Sequence, residues 1–99
     1  MWVLFVVVGL QKSVTVFRLA ERMARDGQHV VFLFTGDSRR HAADTELMKS
    51  LHFAEGIYVL KDDGGFRVSL SDLAEGVEAI DYDGWVGLLE ACDRIVSWT

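Results

Sequence analysis

Apolar residues run unbroken from Met1 to Val8, four of them valines. An unbroken rather than alternating run suits a strand covered on both faces, and Gly9 ends it. From Ser13 the spacing becomes helical. Val14, Phe17, Ala20, Met23 and Ala24 fall on one face, and Arg18, Arg22 and Arg25 on the other. Ser13 is placed to cap this helix and Gly27 to stop it. Glu21 stands four residues before Arg25, a weakly favourable pair. Val30 to Phe34 reads as a second buried strand, and Thr35 to His41 as a polar loop. A helix is predicted over Ala42 to Leu51, burying Ala43, Leu47 and Leu51, and then a short strand over Ile57 to Leu60. Residues 62 to 69 carry no settled pattern, because Gly64-Gly65 opposes a helix there. Ser71 to Gly76 suits a short helical turn, and Val77 to Ile80 a fourth strand. Asp83 can cap a helix over Gly84 to Ala91, with Trp85, Leu88, Leu89 and Cys92 on one stripe, and Arg94 to Trp98 is the last strand.

Strands that alternate with helices imply parallel pairing through right-handed crossovers. The order predicts a three-layer α/β/α sandwich on a mainly parallel sheet of about five strands. Ligands in such sheets sit beyond the carboxyl ends of the strands. The loops expected at that end are Gly9 to Lys12, Thr35 to His41, Lys61 to Gly65 and Asp81 to Asp83.

The 99 residues make one domain, half of them apolar, with no proline, repeat or low-complexity stretch. A lone cysteine forms no internal disulfide, which reads as an intracellular, cytoplasmic protein. The apolar start lacks the basic flank and small-residue cleavage site of a signal peptide and is too short to span a bilayer, so it reads as a strand. No membrane partner is expected. The net charge of −5 argues against direct nucleic-acid binding. That charge is uneven: residues 1 to 50 hold seven Lys/Arg against five Asp/Glu, and residues 51 to 99 hold three against ten. Such a split either favours ordered association between subunits or is a solvated acidic surface.

Candidate chemistry is sparse. Lys12, Arg39, Arg40 and His41 are expected at the carboxyl edge of the first two strands, where converging cations can hold an anion. A plain solvated loop is the other reading. His29 and His52 look like element-boundary residues, and the histidines and cysteine follow no zinc-ligand spacing. No Gly-x-Gly-x-x-Gly turn or P-loop is present, so no cofactor is implied. Trp98 is the best candidate for an interface anchor.

The second half carries a family resemblance. Tyr58-Val-Leu-Lys-Asp-Asp-Gly-Gly-Phe-Arg67 resembles a strand followed by Leu-x-x-Asp-x-x-x-Arg, matched by Leu60, Asp63 and Arg67, although Val68 stands where glycine is usual. Ile80-Asp81-Tyr82, Trp85-Val86 and Ser97-Trp98 follow in the same order and spacing. Together they resemble the DsrE/DsrF/DsrH group of sulfur-relay proteins, most closely the DsrH/TusB branch. Phe34-Thr-Gly-Asp37 is more similar to the DsrE/DsrF side. The resemblance implies a flavodoxin-like sheet and assembly as a homo-oligomer or with DsrE/DsrF-like proteins. It also implies a sulfur-donor or acceptor partner, in tRNA 2-thiolation or sulfur oxidation. Members of the group carry sulfur as a persulfide on one cysteine. The carrier positions fall at Ala20 and at Tyr58 here, and neither is a thiol.

Cys92 remains. It lies on the apolar stripe near a helix C-terminus, where the helix dipole, burial and Asp93 all disfavour a thiolate. A packed structural cysteine is therefore favoured over a sulfur carrier. Three functions follow: a non-catalytic assembly or binding subunit, a sulfurtransferase using Cys92, or a small-anion-binding oligomer.

Overall fold

The two longest apolar runs become the middle of a parallel sheet. β1 (Trp2–Val7) pairs with β2 (His29–Phe34), with Phe5 opposite Phe32, and every residue of the two strands except Trp2 and His29 is buried. β3 (Gly56–Leu60) pairs with β2, and β6 (Val77–Ile80) with β3, while β7 (Arg94–Trp98) lies on the far side of β1. The computed structural model describes residues 1–9, 13–63, 66–67 and 73–98. Among these the sheet has five strands in the order β6-β3-β2-β1-β7, all parallel. This is the α/β fold expected from the pattern, consistent with a flavodoxin-like sheet.

The order explains the layers. Three steps run one way across the sheet, and the last step returns past β1. Right-handed crossovers put connections in one direction on one face and the return connection on the other. One face packs Val3, Phe5, Val7, Val30, Phe32 and Phe34 against Val16, Phe17 and Ala20 of α1 (Ser13–Arg25) and Met48 of α2 (Thr45–Ser50). The other packs Leu4, Val6, Val31 and Leu33 against Trp85, Leu88, Leu89 and Cys92 around α3 (Tyr82–Ala91). Alternate residues of one strand thus enter two cores, which is why the strands are apolar throughout.

α1 ends where Gly27 adopts φ +92. The Gln28 amide donates to the Met23 carbonyl and the Gly27 amide to that of Ala24, both at 3.1 Å. This pair of bonds is a Schellman cap, which needs the left-handed residue that glycine provides. The expected capping by Ser13 rests on a side chain outside the described set. The buried stripe of α1 differs from the expected one by one residue. Val16 is fully buried, and Val14 is 62% exposed. At 3.6 residues per turn, Val16 shares the arc of Ala20 and Met23, whereas Val14 lies on the arginine side.

The expected polar loop after β2 is a 3-10 helix, Gly36–Ala43. Runs of this length are uncommon unless something holds them, and here two buried polar residues do. The predicted helix over Ala42 to Leu51 is divided, because the Asp44 carboxylate accepts the Leu47 amide at 3.1 Å and starts α2 afresh. Leu51 is buried as expected, and Ala42 and Met48 are buried in place of Ala43 and Leu47. In the stretch without a settled pattern, β4 (Asp62–Asp63) pairs antiparallel with β5 (Phe66–Arg67), and residues 64–65 lie outside the described residues. The helical turn expected over Ser71 to Gly76 is, in its described part, a turn with Gly76 at φ +88. α3 begins two residues early, because Asp81 rather than Asp83 caps it, accepting the Gly84 amide at 2.9 Å.

Candidate functional site

The strand order fixes where a ligand edge would lie. The chain reverses direction across the sheet between β1 and β7, so the crevice of an open α/β sheet falls beyond their carboxyl ends. There the Val8 amide donates to the Trp98 carbonyl at 2.8 Å, which zips the two strands to their tips. The 3-10 helix covers the neighbouring end of β2. Its first glycine, Gly36, has φ +61, and a Cβ there would stand 3.1 Å from the Val8 carbonyl oxygen.

Ser38 fastens this segment to β1. It is fully buried, its amide donates to the Val8 carbonyl at 2.9 Å, and its hydroxyl lies against the carbonyls of Val7 and Thr35. The Thr35 amide donates to the Ser38 hydroxyl at 3.2 Å and to the Val7 carbonyl at 3.0 Å. These bonds satisfy the backbone groups left over where two strands end.

Arg39 completes the anchor. The pattern offers it either as an anion-holding cation or as part of a solvated loop, and it is 1% exposed. Its Nε donates to the Gly36 carbonyl at 3.0 Å, and its Nη1 approaches the Leu60 carbonyl at 3.4 Å. The guanidinium thus ties the 3-10 helix to the end of β3. Arginine keeps its charge at any physiological pH, and these carbonyl dipoles face that charge inside the fold.

Of the four cations expected to hold an anion, the three described ones are in different environments. Arg39 points inward, and Arg40 is exposed. His41 is half-buried, with its ring 5.8 Å from that of Phe17 and 6.0 Å from that of Phe34. Burial among these rings pushes the imidazole below its ordinary range, and Asp44 pulls weakly the other way. Lys12 lies outside the described residues. Among the described residues, no three His, Cys, Asp or Glu side chains gather where a metal ion could bind. No helix there is long and apolar enough to cross a membrane.

Cys92 sits at the opposite edge of the sheet, two residues before β7 begins. It is half-buried at the end of α3, where its amide donates to the Leu88 carbonyl at 3.0 Å. Its side chain joins Trp85, Leu88 and Leu89 against the core, as its stripe suggested. Burial, and then the neighbouring Asp93 carboxylate, push the thiol up from its ordinary range. Asp93 is itself fixed. Its Oδ2 accepts the Trp2 amide and its own amide donates to the Trp2 carbonyl, both at 2.9 Å.

Ala20 and Tyr58 stand where the resemblance places a carrier thiol. Ala20 is fully buried between α1 and the sheet, and Tyr58 is half-buried on the α3 face. Trp98 packs beside the α1-side core with its indole N–H buried and, among the described residues, without an acceptor. The Trp85 indole N–H is in the same state on the other face.

Three features were not read from the pattern. Ser38 gave no signal, because a short polar residue in a polar stretch looks solvated. At the amino edge, Trp2 stacks on His29 with centroids 4.6 Å apart, and His29 meets Glu55 at 3.1 Å. On α3 and β7, Tyr82, Val86 and Ile95 are each about half exposed (53%, 50% and 48%). Compared with known proteins, the chain matches no protein-family model and no curated protein.

Proposed function

We propose that this chain is a non-catalytic assembly subunit of the sulfur-relay kind, similar to the DsrH/TusB branch. The observation that carries this reading is the setting of its three candidate thiol positions. Ala20 and Tyr58 offer no sulfur, and Ala20 is sealed inside the fold. Cys92 is packed against the core with its thiol pushed up by burial and by Asp93. Sulfur transfer needs an accessible thiolate, and reactive cysteines sit in electropositive settings. The setting of Cys92 is apolar and acidic.

A subunit without a carrier thiol acts by what it holds. The half-exposed Tyr82, Val86 and Ile95 fit a protein that covers this surface with another chain. Light scattering of the chain alone, and mixed with a DsrE- or DsrF-like protein, tests the reading. A mass above the monomer in either sample is expected. A monomer that binds no such protein would overturn the reading.

The half-exposed state of Cys92 favours one competing reading, a sulfurtransferase that loads this thiol. Loading with a sulfane-sulfur donor separates the two.

A further inference from the structure

The exposed surfaces of α1 and α3 are matched in charge, shape and spacing. On α1, Arg18, Arg22 and Arg25 are exposed and spaced four and three residues apart, so they form one ridge. Val14 and Leu19, 62% and 42% exposed, flank it. Shallow grooves run along this ridge. One of 250 Å³ is lined by Arg18, Leu19 and Arg22, and one of 190 Å³ by Arg18, Glu21, Arg22 and Arg25.

α3 presents the complement. Asp83, Val86 and Glu90 are exposed and spaced three and four residues apart, again one ridge, with Tyr82 beside it. Glycine at position 87 leaves open space next to that ridge, where a Cβ would meet nothing within 4 Å. Arg18 to Arg25 and Asp83 to Glu90 each span seven residues, about 10.5 Å along a helix. Asp83 and Glu90 can therefore face Arg18 and Arg25 at once, Arg25 being shared with Glu21 of its own helix at 2.5 Å, with Val86 and Tyr82 entering the grooves.

The two helices lie on opposite faces of the sheet. They cannot meet within one molecule. We infer that a second copy of this chain docks its α3 ridge, Asp83, Val86 and Glu90, onto the α1 ridge, Arg18, Arg22 and Arg25, of the first. The inference rests on the assembly reading above and names its surface and partner. The contact is head-to-tail, so a pair keeps one free α1 and one free α3, and the assembly grows further, as a ring where the rotation closes and as an open filament where it does not. α3 offers only about 15 Å of helix. That is less than a standard interface of roughly 800 Å² per partner requires, so a single joint is weak and sensitive to salt.

Light scattering across protein concentration is the test, with folding of every variant checked by circular dichroism. Wild-type mass is expected to rise with concentration at about 50 mM salt, and the apparent association constant to fall about tenfold or more by ~300 mM. Arg18→Glu with Arg22→Glu is expected to be monomeric alone, and so is Val86→Arg. Mixed, the two variants each retain the face the other needs, and they are expected to form a one-to-one pair and nothing larger. Asp83→Lys with Glu90→Lys repeats the test on the α3 side. Either block variant that still associates alone would show a like-with-like contact and overturn the inference. Wild-type chain that stays monomeric throughout also overturns it. The assembly reading survives that last result if the monomer binds a DsrE- or DsrF-like protein, and fails with it if it does not.

Discussion

Replacing Arg39 with alanine removes the link between the 3-10 helix and the end of β3. The Nε bond to the Gly36 carbonyl, at 3.0 Å, is a charge-assisted bond and contributes roughly 1.5–3 kcal/mol. The 3.4 Å approach to the Leu60 carbonyl lies beyond good geometry and adds little. The stem loses two methylenes beyond Cβ from a site that is 1% exposed, about 1.6 kcal/mol at ~0.8 per CH₂. Against this, alanine relieves the cost of keeping a charge out of water. The net loss expected is about 3 kcal/mol. For a domain of this size that lowers Tm by roughly 12–24 °C. Arg40→Ala, at an exposed neighbour, is expected to change stability by less than about 0.5 kcal/mol. Urea unfolding and thermal melts of the two variants read the difference directly. Equal, small effects at both positions would refute the anchor and return Arg39 to a solvated loop.

The packing of α1 gives a similar contrast: Val16→Ala is expected to cost about 2–3 kcal/mol and Val14→Ala less than about 0.5, measured by urea unfolding. Gly27→Ala is expected to cost about 1–2 kcal/mol, all of it backbone strain, because φ is +92 and a Cβ there would touch nothing within 4 Å. Stability should also respond to His41. Its folded value lies below that of the unfolded chain, so the unfolded state takes up the proton first. The contribution is therefore complete above about pH 6.5 and is lost as pH falls through the folded value. Urea midpoints at pH 7.5 and 5.5 are expected to differ less in His41→Gln than in the wild type, and equal differences would remove His41 from the cause.

The sheet was legible because burial on both faces forces a strand to be apolar at every position. Met1 to Val8 and Val30 to Phe34 carry that signature without ambiguity. The stop at Gly27 was legible for a related reason, since a left-handed cap has few residue choices. Val14 misled because it and Val16 are both valines within one turn of Phe17, and only the sheet decides which arc is covered. The division at Asp44 was missed because its carboxylate caps a helix only once the chain has already turned.

The candidate site was less legible, and Arg39 shows why. Composition marks Thr35 to His41 as polar, but not which polar groups find backbone carbonyls inside the fold. Its two described acceptors, Gly36 and Leu60, include one 21 residues away. Cys92 could be placed on its stripe from spacing alone, and the structure puts it there. The stripe of Trp85, Leu88, Leu89 and Cys92 marked the covered side of α3 but did not show that Tyr82 and Val86 lie outside it. Even on that stripe the cover is partial, since none of the residues of α3 is fully buried.

Intact-mass spectrometry after exposure to a sulfane-sulfur donor, with Cys92→Ser as the control, addresses the non-catalytic reading most directly. An unmodified native mass is expected, because the thiol is packed against Trp85, Leu88 and Leu89 and pushed up by burial and Asp93. A stable added sulfur that disappears in Cys92→Ser would make Cys92 a working carrier and contradict it.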